Sequence, residues 1–266
     1  MKFGEEYTKY WASAVNKSVD GTVIAGAKEA KHFLDYFNIK RQCSVLDLGC
    51  SVGRMHGALS DYFDHIYGVD PDLFAVEKAR LEPYVEVHQG TAEDTGFDSS
   101  FFDFVFCWAV FDVVDHAKGF KEANRILKSD GKLLFSGKNS NYYPDDVLAF
   151  KAEKNAFLKG FPGRFTNLDI VLKNLKTFGF VLEKLFIFPR RGDFGLLKYE
   201  KCIHNNDIAP VGYEYLIICH KVIDQPEAEL PLSGALDDRY SITATRAALQ
   251  AGQGNAKELF ESIGIN

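Results

Sequence analysis

Between Ser44 and Ser136 the chain alternates short, almost wholly apolar runs with amphipathic stretches. This rhythm constrains the fold more than any other feature. The apolar runs Ser44–Leu48, His65–Val69, Val85–His88, Phe102–Cys107 and Lys132–Ser136 read as strands. Arg54–Phe63, Leu73–Leu81 and Ala117–Leu127 read as the helices between them, and Thr22–Phe37 as a helix before them. Apolar runs of this length separated by amphipathic helices point to a parallel sheet covered by helices on each side.

After Gly137 the rhythm changes. Thr166–Phe178 reads as a helix, with Thr166 and Asp169 in capping-box spacing and Gly179 in the C′ position. Phe180–Phe188 and Gly212–Val222 read as two more strands. The Pro189–Pro210 excursion between them has the length of a functional or disordered loop. From Asp224 onward Pro226, Pro231 and Gly234 mark a linker. The division expected is one domain over 1–223 and a partly helical tail over 224–266. That tail is either partly ordered or docked on its own domain or on a second subunit, so a homodimer stays open.

Composition narrows the class. Of 266 residues 46% are hydrophobic and 26% charged, which suits a globule with a full core. The formal net charge of −6 offers no field for a phosphate backbone, so a nucleic-acid partner is not expected. Five cysteines without a CxxC pair argue against a disulfide framework and a zinc cluster, and suit the cytoplasm. The opening MKFGEEYTKYWAS lacks the apolar centre of a signal peptide, and no run approaches 18 apolar residues, so no membrane span is expected.

The chemistry concentrates in Val45-Leu46-Asp47-Leu48-Gly49-Cys50-Ser51-Val52-Gly53-Arg54, between the first strand and the next helix. Glycines there let the backbone pass close to a ligand. Asp70 ends the second strand, 21 residues after Gly49, where a carboxylate reaches ribose hydroxyls in nucleotide-binding α/β folds. The dinucleotide fingerprint GxGxxG fails twice, since Ser51 and Arg54 stand where its second and third glycines belong. Asp47 could serve as a loop brace alone, and Asp70 as a helix-capping acid alone. The glycine loop between them favours a cofactor site.

This run resembles the D-x-G-x-x-x-G signature of class I S-adenosylmethionine-dependent methyltransferases. Further motifs follow in order over about residues 44–137. Tyr67-Gly68-Val69-Asp70 is similar to the second motif, and Gly90-Thr91-Ala92-Glu93-Asp94 to the adenine-reading loop. Phe101–Phe106 is similar to the fourth strand, and Glu122 to Gly131 to the E-x-x-R-x-L signature before the fifth. Ser129-Asp130 replaces the usual Pro-Gly, a change compatible with a turn. The resemblance implies a Rossmann-like, seven-stranded, mostly parallel sheet with a terminal antiparallel strand. It also implies S-adenosylmethionine as cofactor, S-adenosylhomocysteine as product and a small-molecule acceptor.

The resemblance further implies roles. Gly49, Ser51 and Gly53 would line the methionine moiety, and Asp47 would face its ammonium. Asp70 would accept both ribose hydroxyls, and Pro71 would pack on the adenine. Ala92 would give the ring a backbone N–H, and Glu93 or Asp94 would accept from its exocyclic amine. Cys107 and Trp108 would flank the methionine portion. Tyr10 and Trp11, with Tyr7, resemble an aromatic segment that caps the cofactor; a hydrophobic staple for the first helix is the equal alternative.

The acceptor side is less defined. Alignment on Glu122 and Arg125 puts Asp112 where relatives often carry histidine, so Asp112 is a candidate base or substrate anchor, and His116 is the second candidate. A capping or solvated role stands beside each, and His56 reads as structural. Asn139, Asn141, Tyr142 and Tyr143 follow the fifth strand, where an acceptor pocket is expected. Arg190 and Arg191 suit a phosphate or carboxylate, as on a sugar derivative, or form a solvated basic turn, and the many aromatics suit an apolar acceptor instead. The reading is methyl transfer to an O or N atom. The alternatives are a binding module of the same fold without turnover and, more remotely, a nicotinamide oxidoreductase.

Overall fold

The structure is a computed structural model that describes residues 26–39, 42–81, 85–143, 145–149, 151–152, 166–202 and 210–222. Eight strands form one sheet: β1 (Gln42–Leu48), β2 (Phe63–Asp70), β3 (Val85–Gln89), β4 (Phe102–Cys107), β5 (Leu127–Lys138), β6 (Phe180–Phe188), β7 (Glu200–Cys202) and β8 (Glu214–Lys221). Their order is β3-β2-β1-β4-β5-β8-β6-β7. The first five run parallel to one another. β8 runs antiparallel between β5 and β6. Among the described residues the helices are α1 (Ala27–Tyr36), α2 (His56–Leu59), α3 (Leu73–Ala79), α4 (His116–Ile126) and α5 (Leu168–Asn174).

Each face of the sheet carries its own aromatic-rich core. On one, Phe102, Phe120, Phe135, Phe178, Phe180 and Tyr215 pack together. On the other, Phe33, Phe63, Phe104, Phe106, Phe186 and Phe188 do. Phe102 and Phe104 serve opposite faces although two residues apart, because the register with β5 shifts between them. β8 divides as a doubly covered strand must: Tyr215, Ile217 and Cys219 to one face, Leu216 and Ile218 to the other.

Four details differ from the sequence reading. The sheet has eight strands, not seven, because residues 200–202 of the long excursion pair with Leu185–Ile187 and cover the outer edge of β6. β5 begins at Leu127, since the turn residues Lys128–Gly131 are drawn into the strand after α4. The helix after the glycine loop is one turn long. The cap of α5 is Asn167, which accepts from the Ile170 N–H at 3.2 Å, and not Thr166. Thr166 is instead buried, accepting from the Tyr215 hydroxyl at 2.8 Å and standing 3.4 Å from His116 Nε2. Gly179 does end that helical stretch in the left-handed region, at φ 82°. Residues 1–25 and 223–266, and with them Tyr7, Tyr10, Trp11 and the expected tail, lie outside the described residues.

Candidate active site

The chain leaves β1 to one side for β2 and β3, and returns to its other side for β4 and β5. A parallel sheet opens a crevice where its order reverses in this way. A cavity of about 250 Å³ lies there, at the carboxyl ends of β1 to β4. Gly49 and Ser51 line it from the first loop, and Asp70, Pro71, Asp72 and Leu73 from the second. Gly90–Glu93 line it from the third, and Trp108, Ala109, Val110, Val113 and Val114 from the fourth.

The first loop owes its path to three consecutive alternate residues in the left-handed region: Gly49 at φ 80°, Ser51 at 50° and Gly53 at 83°. A Cβ on Gly49 would stand 2.4 Å from Val110 Cγ2, and one on Gly53 would stand 2.6 Å from His56 Nδ1. The backbone therefore passes where no side chain fits. The Gly49 and Cys50 amides donate to the Val69 carbonyl, fastening the loop to β2.

Asp70 is gripped by backbone on both oxygens. Oδ2 accepts from the Ser51 N–H and Oδ1 from the Asp72 N–H, each at 2.9 Å. Burial nevertheless pushes its carboxyl up to about 6, against the lowering effect of these two hydrogen bonds. Among the residues lining the cavity, the acids Asp70, Asp72 and Glu93 face the base Arg54. Such a wall suits a cation and opposes a diphosphate.

The remaining motifs brace the crevice. Glu122 accepts from the Thr95 N–H and from Arg125 Nε, both at 2.8 Å, and Arg125 Nη2 donates to the Phe97 carbonyl at 2.7 Å. The E-x-x-R pair thus staples α4 to the 90–97 loop. Glu93 accepts from the Asp115 N–H at 2.8 Å, and the Ala109 N–H donates to Ser136 Oγ at 2.8 Å. Trp108 lies parallel to Phe106 at 5.4 Å between ring centroids.

Gly49, Ser51, Asp70, Pro71, Ala92, Glu93 and Trp108 thus meet around one cavity. Other expected site residues do not reach it. Asp47 is buried beneath the loop, where desolvation raises its carboxyl to about 7. Cys107 points into the core and burial pushes its thiol up. Gly53 faces His56 rather than the cavity. Asp112 forms an ion pair with Lys138 at 3.3 Å, and His116 Nε2 bonds the Phe111 carbonyl at 2.8 Å.

The expected acceptor residues form loop braces. Asn139 Nδ2 donates to the Asn141 and Pro210 carbonyls, and Tyr142 packs edge-on against Tyr213. Arg190 pairs in fork geometry with Asp145, its nearer contact at 2.6 Å, and lies 4.6 Å over the Tyr143 ring. Arg191 Nη1 donates to the Tyr213 hydroxyl at 3.0 Å.

Sequence reasoning missed the roles of Arg54, Leu73, Thr91, Val110, Val113 and Val114 as wall residues. The three valines sat in a stretch read for its acids, although their apolar spacing was the signal of a wall.

Residues 46–135 match the family described as "Methyltransferase domain". That stretch, about a third of the chain, is what the match identifies as a methyltransferase domain. The chain is 30% identical over 134 residues to the uncharacterized methyltransferase YcgJ of Bacillus subtilis, covering 48% of this chain and 52% of that protein. It is 28% identical over 125 residues to phosphoethanolamine N-methyltransferase 1 of Zea mays, covering 44% of this chain and 25% of that protein. These alignments thus span about half of the first relative's length and a quarter of the second's. The crystal structure of YcgJ superposes with a TM-score of 0.54 at 19% identity, covering 74% of this chain and 99% of that one. A SAM-dependent methyltransferase from Thermotoga maritima superposes with a TM-score of 0.57 at 20% identity, covering 82% and 99%. No helix among the described residues is long and apolar enough to cross a membrane.

Proposed function

We propose that this methyltransferase binds S-adenosylmethionine in the crevice and transfers its methyl group to an O or N atom of a small-molecule acceptor. The observation that carries the reading is the Asp70 carboxylate, fixed at the cavity wall by two backbone N–H groups. Its remaining lone pairs suit a vicinal diol, which offers two O–H donors to one carboxylate. Val69, Pro71, Leu73 and Ala92 give an apolar bed for a flat ring. Gly49 and Ser51 would admit the amino-acid end, and the acidic wall favours a cationic sulfonium. The residues present therefore fit the cofactor.

When bound, S-adenosylmethionine supplies an electrophilic methyl group on a charged sulfur. The chain's own contribution is alignment and exclusion of water, which can account for several kcal/mol of a transfer barrier. Asp112 and His116 are engaged behind the 110–114 turn, so we assign them to holding that turn rather than to proton removal. Arg191 stands exposed beside Tyr213 and could meet an anionic group on the acceptor. The name of the maize relative, a phosphoethanolamine N-methyltransferase, favours a phosphate-bearing amine among the acceptors to try first.

Calorimetry tests the cofactor claim directly. The wild-type protein should bind S-adenosylmethionine and S-adenosylhomocysteine, and Asp70→Ala should lose at least about 100-fold in affinity, as for removal of a charged hydrogen-bonding partner. Absence of binding to the native wild type would reject the reading. Turnover of a panel of small acceptors, read as S-adenosylhomocysteine release, separates an enzyme from a binding module.

A further inference from the structure

Beneath the glycine loop lie two buried side chains with unsatisfied polar atoms. Asp47 Oδ2 and both ring nitrogens of His56 are unsatisfied, and His56 Nε2 stands 3.4 Å from Asp47 Oδ2. The imidazole is fully buried and fills the space that Gly53 leaves by lacking a Cβ. The two residues come from opposite ends of the loop, the end of β1 and the start of α2, so their contact clamps it. Buried polar groups are rarely left in this state unless they face each other for a purpose.

We propose that His56 is a positioning residue of the cofactor site: it holds Asp47 under the glycine loop and shares a proton with it, so that the charge beneath the loop, and with it the grip on a ligand ammonium, is set by this pair. The ligand part of this inference rests on the cofactor reading above; the proton-sharing part does not.

Burial favours the neutral form of both groups. Burial raises Asp47 to about 7 and lowers His56 to about 4. Between these values the acid is protonated and the ring neutral, with the carboxyl O–H donating to Nε2 and the ring proton on Nδ1. Above about 7 one proton leaves. The carboxylate then accepts from Nε2–H, and the ring has exchanged tautomers. The other ionisable groups facing Asp47 are Arg54 in the loop, Asp70 at the end of β2, and the thiols of Cys50 and Cys107. Arg54 lowers Asp47 and Asp70 raises it, both less than burial does. Asp70, raised by burial to about 6, ionises first and so opposes the ionisation of Asp47.

Nitrogen NMR of the free protein tests the pair without any ligand. The His56 ring should be neutral at pH 6 and should move its proton from Nδ1 to Nε2 between pH 6 and 8, and Asp47→Asn should abolish that change. A ring titrating at its ordinary value in both proteins, or the same tautomer throughout, overturns the proposal. Calorimetry then tests the ligand part with S-adenosylhomocysteine and methylthioadenosine, which lacks the ammonium. From pH 6 to 8 methylthioadenosine should gain about twofold through Asp70, and S-adenosylhomocysteine about tenfold more, because apparent affinity follows the fraction in the competent state. His56→Leu should move the additional gain to higher pH and His56→Gln should restore it. Equal gains for the two ligands overturn the assignment of Asp47 to the ammonium. Failure of both ligands to bind at any pH overturns the cofactor reading instead, and leaves the NMR result to decide the proton-sharing pair.

Discussion

Asp70 lies between two requirements. Its place at the cavity favours a charge, and its burial opposes one. The outcome is a carboxyl raised to about 6. A raised acid gives stability that is present below its ordinary value of 3.8 and lost as pH rises through about 6. Thermal unfolding of the free protein should therefore show wild type losing ground to Asp70→Asn between about pH 4 and 6, with the difference constant above. A difference that grows toward acid would reverse the sign and contradict the burial argument. At this scale the sequence was informative wherever spacing along the chain decides contact. Asp70 was legible because it follows Gly49 at a fixed interval that the β1-to-β2 connection converts into proximity. His56 was not legible as a partner of Asp47, because their meeting depends on how sharply the loop folds back. Asp112 and His116 were read as candidates for chemistry because residue type is visible in a sequence, whereas the Lys138 and Phe111 groups that engage them are not.

The β-strands were the most readable elements, since a doubly covered strand announces itself by unbroken apolar character. β7 escaped notice because three residues, Glu200–Cys202, carry no such signal; only the open edge of β6 calls them into the sheet. The Thr166 cap was misassigned for a related reason, its hydroxyl being claimed by Tyr215 from a strand far along the chain. The loop after β1 gives a prediction at this scale. Gly49→Ala must hold φ 80° with a side chain and must also displace Val110, which lines the cavity. Strain and overlap together should cost about 2–4 kcal/mol in urea unfolding. Cofactor affinity should fall with stability, because the displaced wall and the strained loop belong to the same cavity.

For the molecule as a whole, the crevice joins four loops that no single helix or strand holds together. A ligand that touches all four should tie the sheet's first half into one unit. At 100 times its dissociation constant S-adenosylhomocysteine should stabilise the native state by about 2.7 kcal/mol. A scanning thermal shift should show this rise for wild type and none for Asp70→Ala. The architecture as a class was legible because alternating strands and helices leave few ways to cover a sheet. The acceptor was not, since the residues expected to recognise it brace their own loops, as Asn139, Tyr142 and Arg190 do.

The placement of β8 between β5 and β6 has a consequence for biosynthesis. The half of the sheet that carries the crevice is complete once residue 138 has emerged from the ribosome, and its parallel strands can pair in the order they appear. β6 and β7 emerge next but have no seat beside β5 until residues 214–221 arrive to fill the gap. For that interval β6 and β7 lack the strand that seats them in the sheet. A chaperone that shields exposed strand edges would have its natural client there.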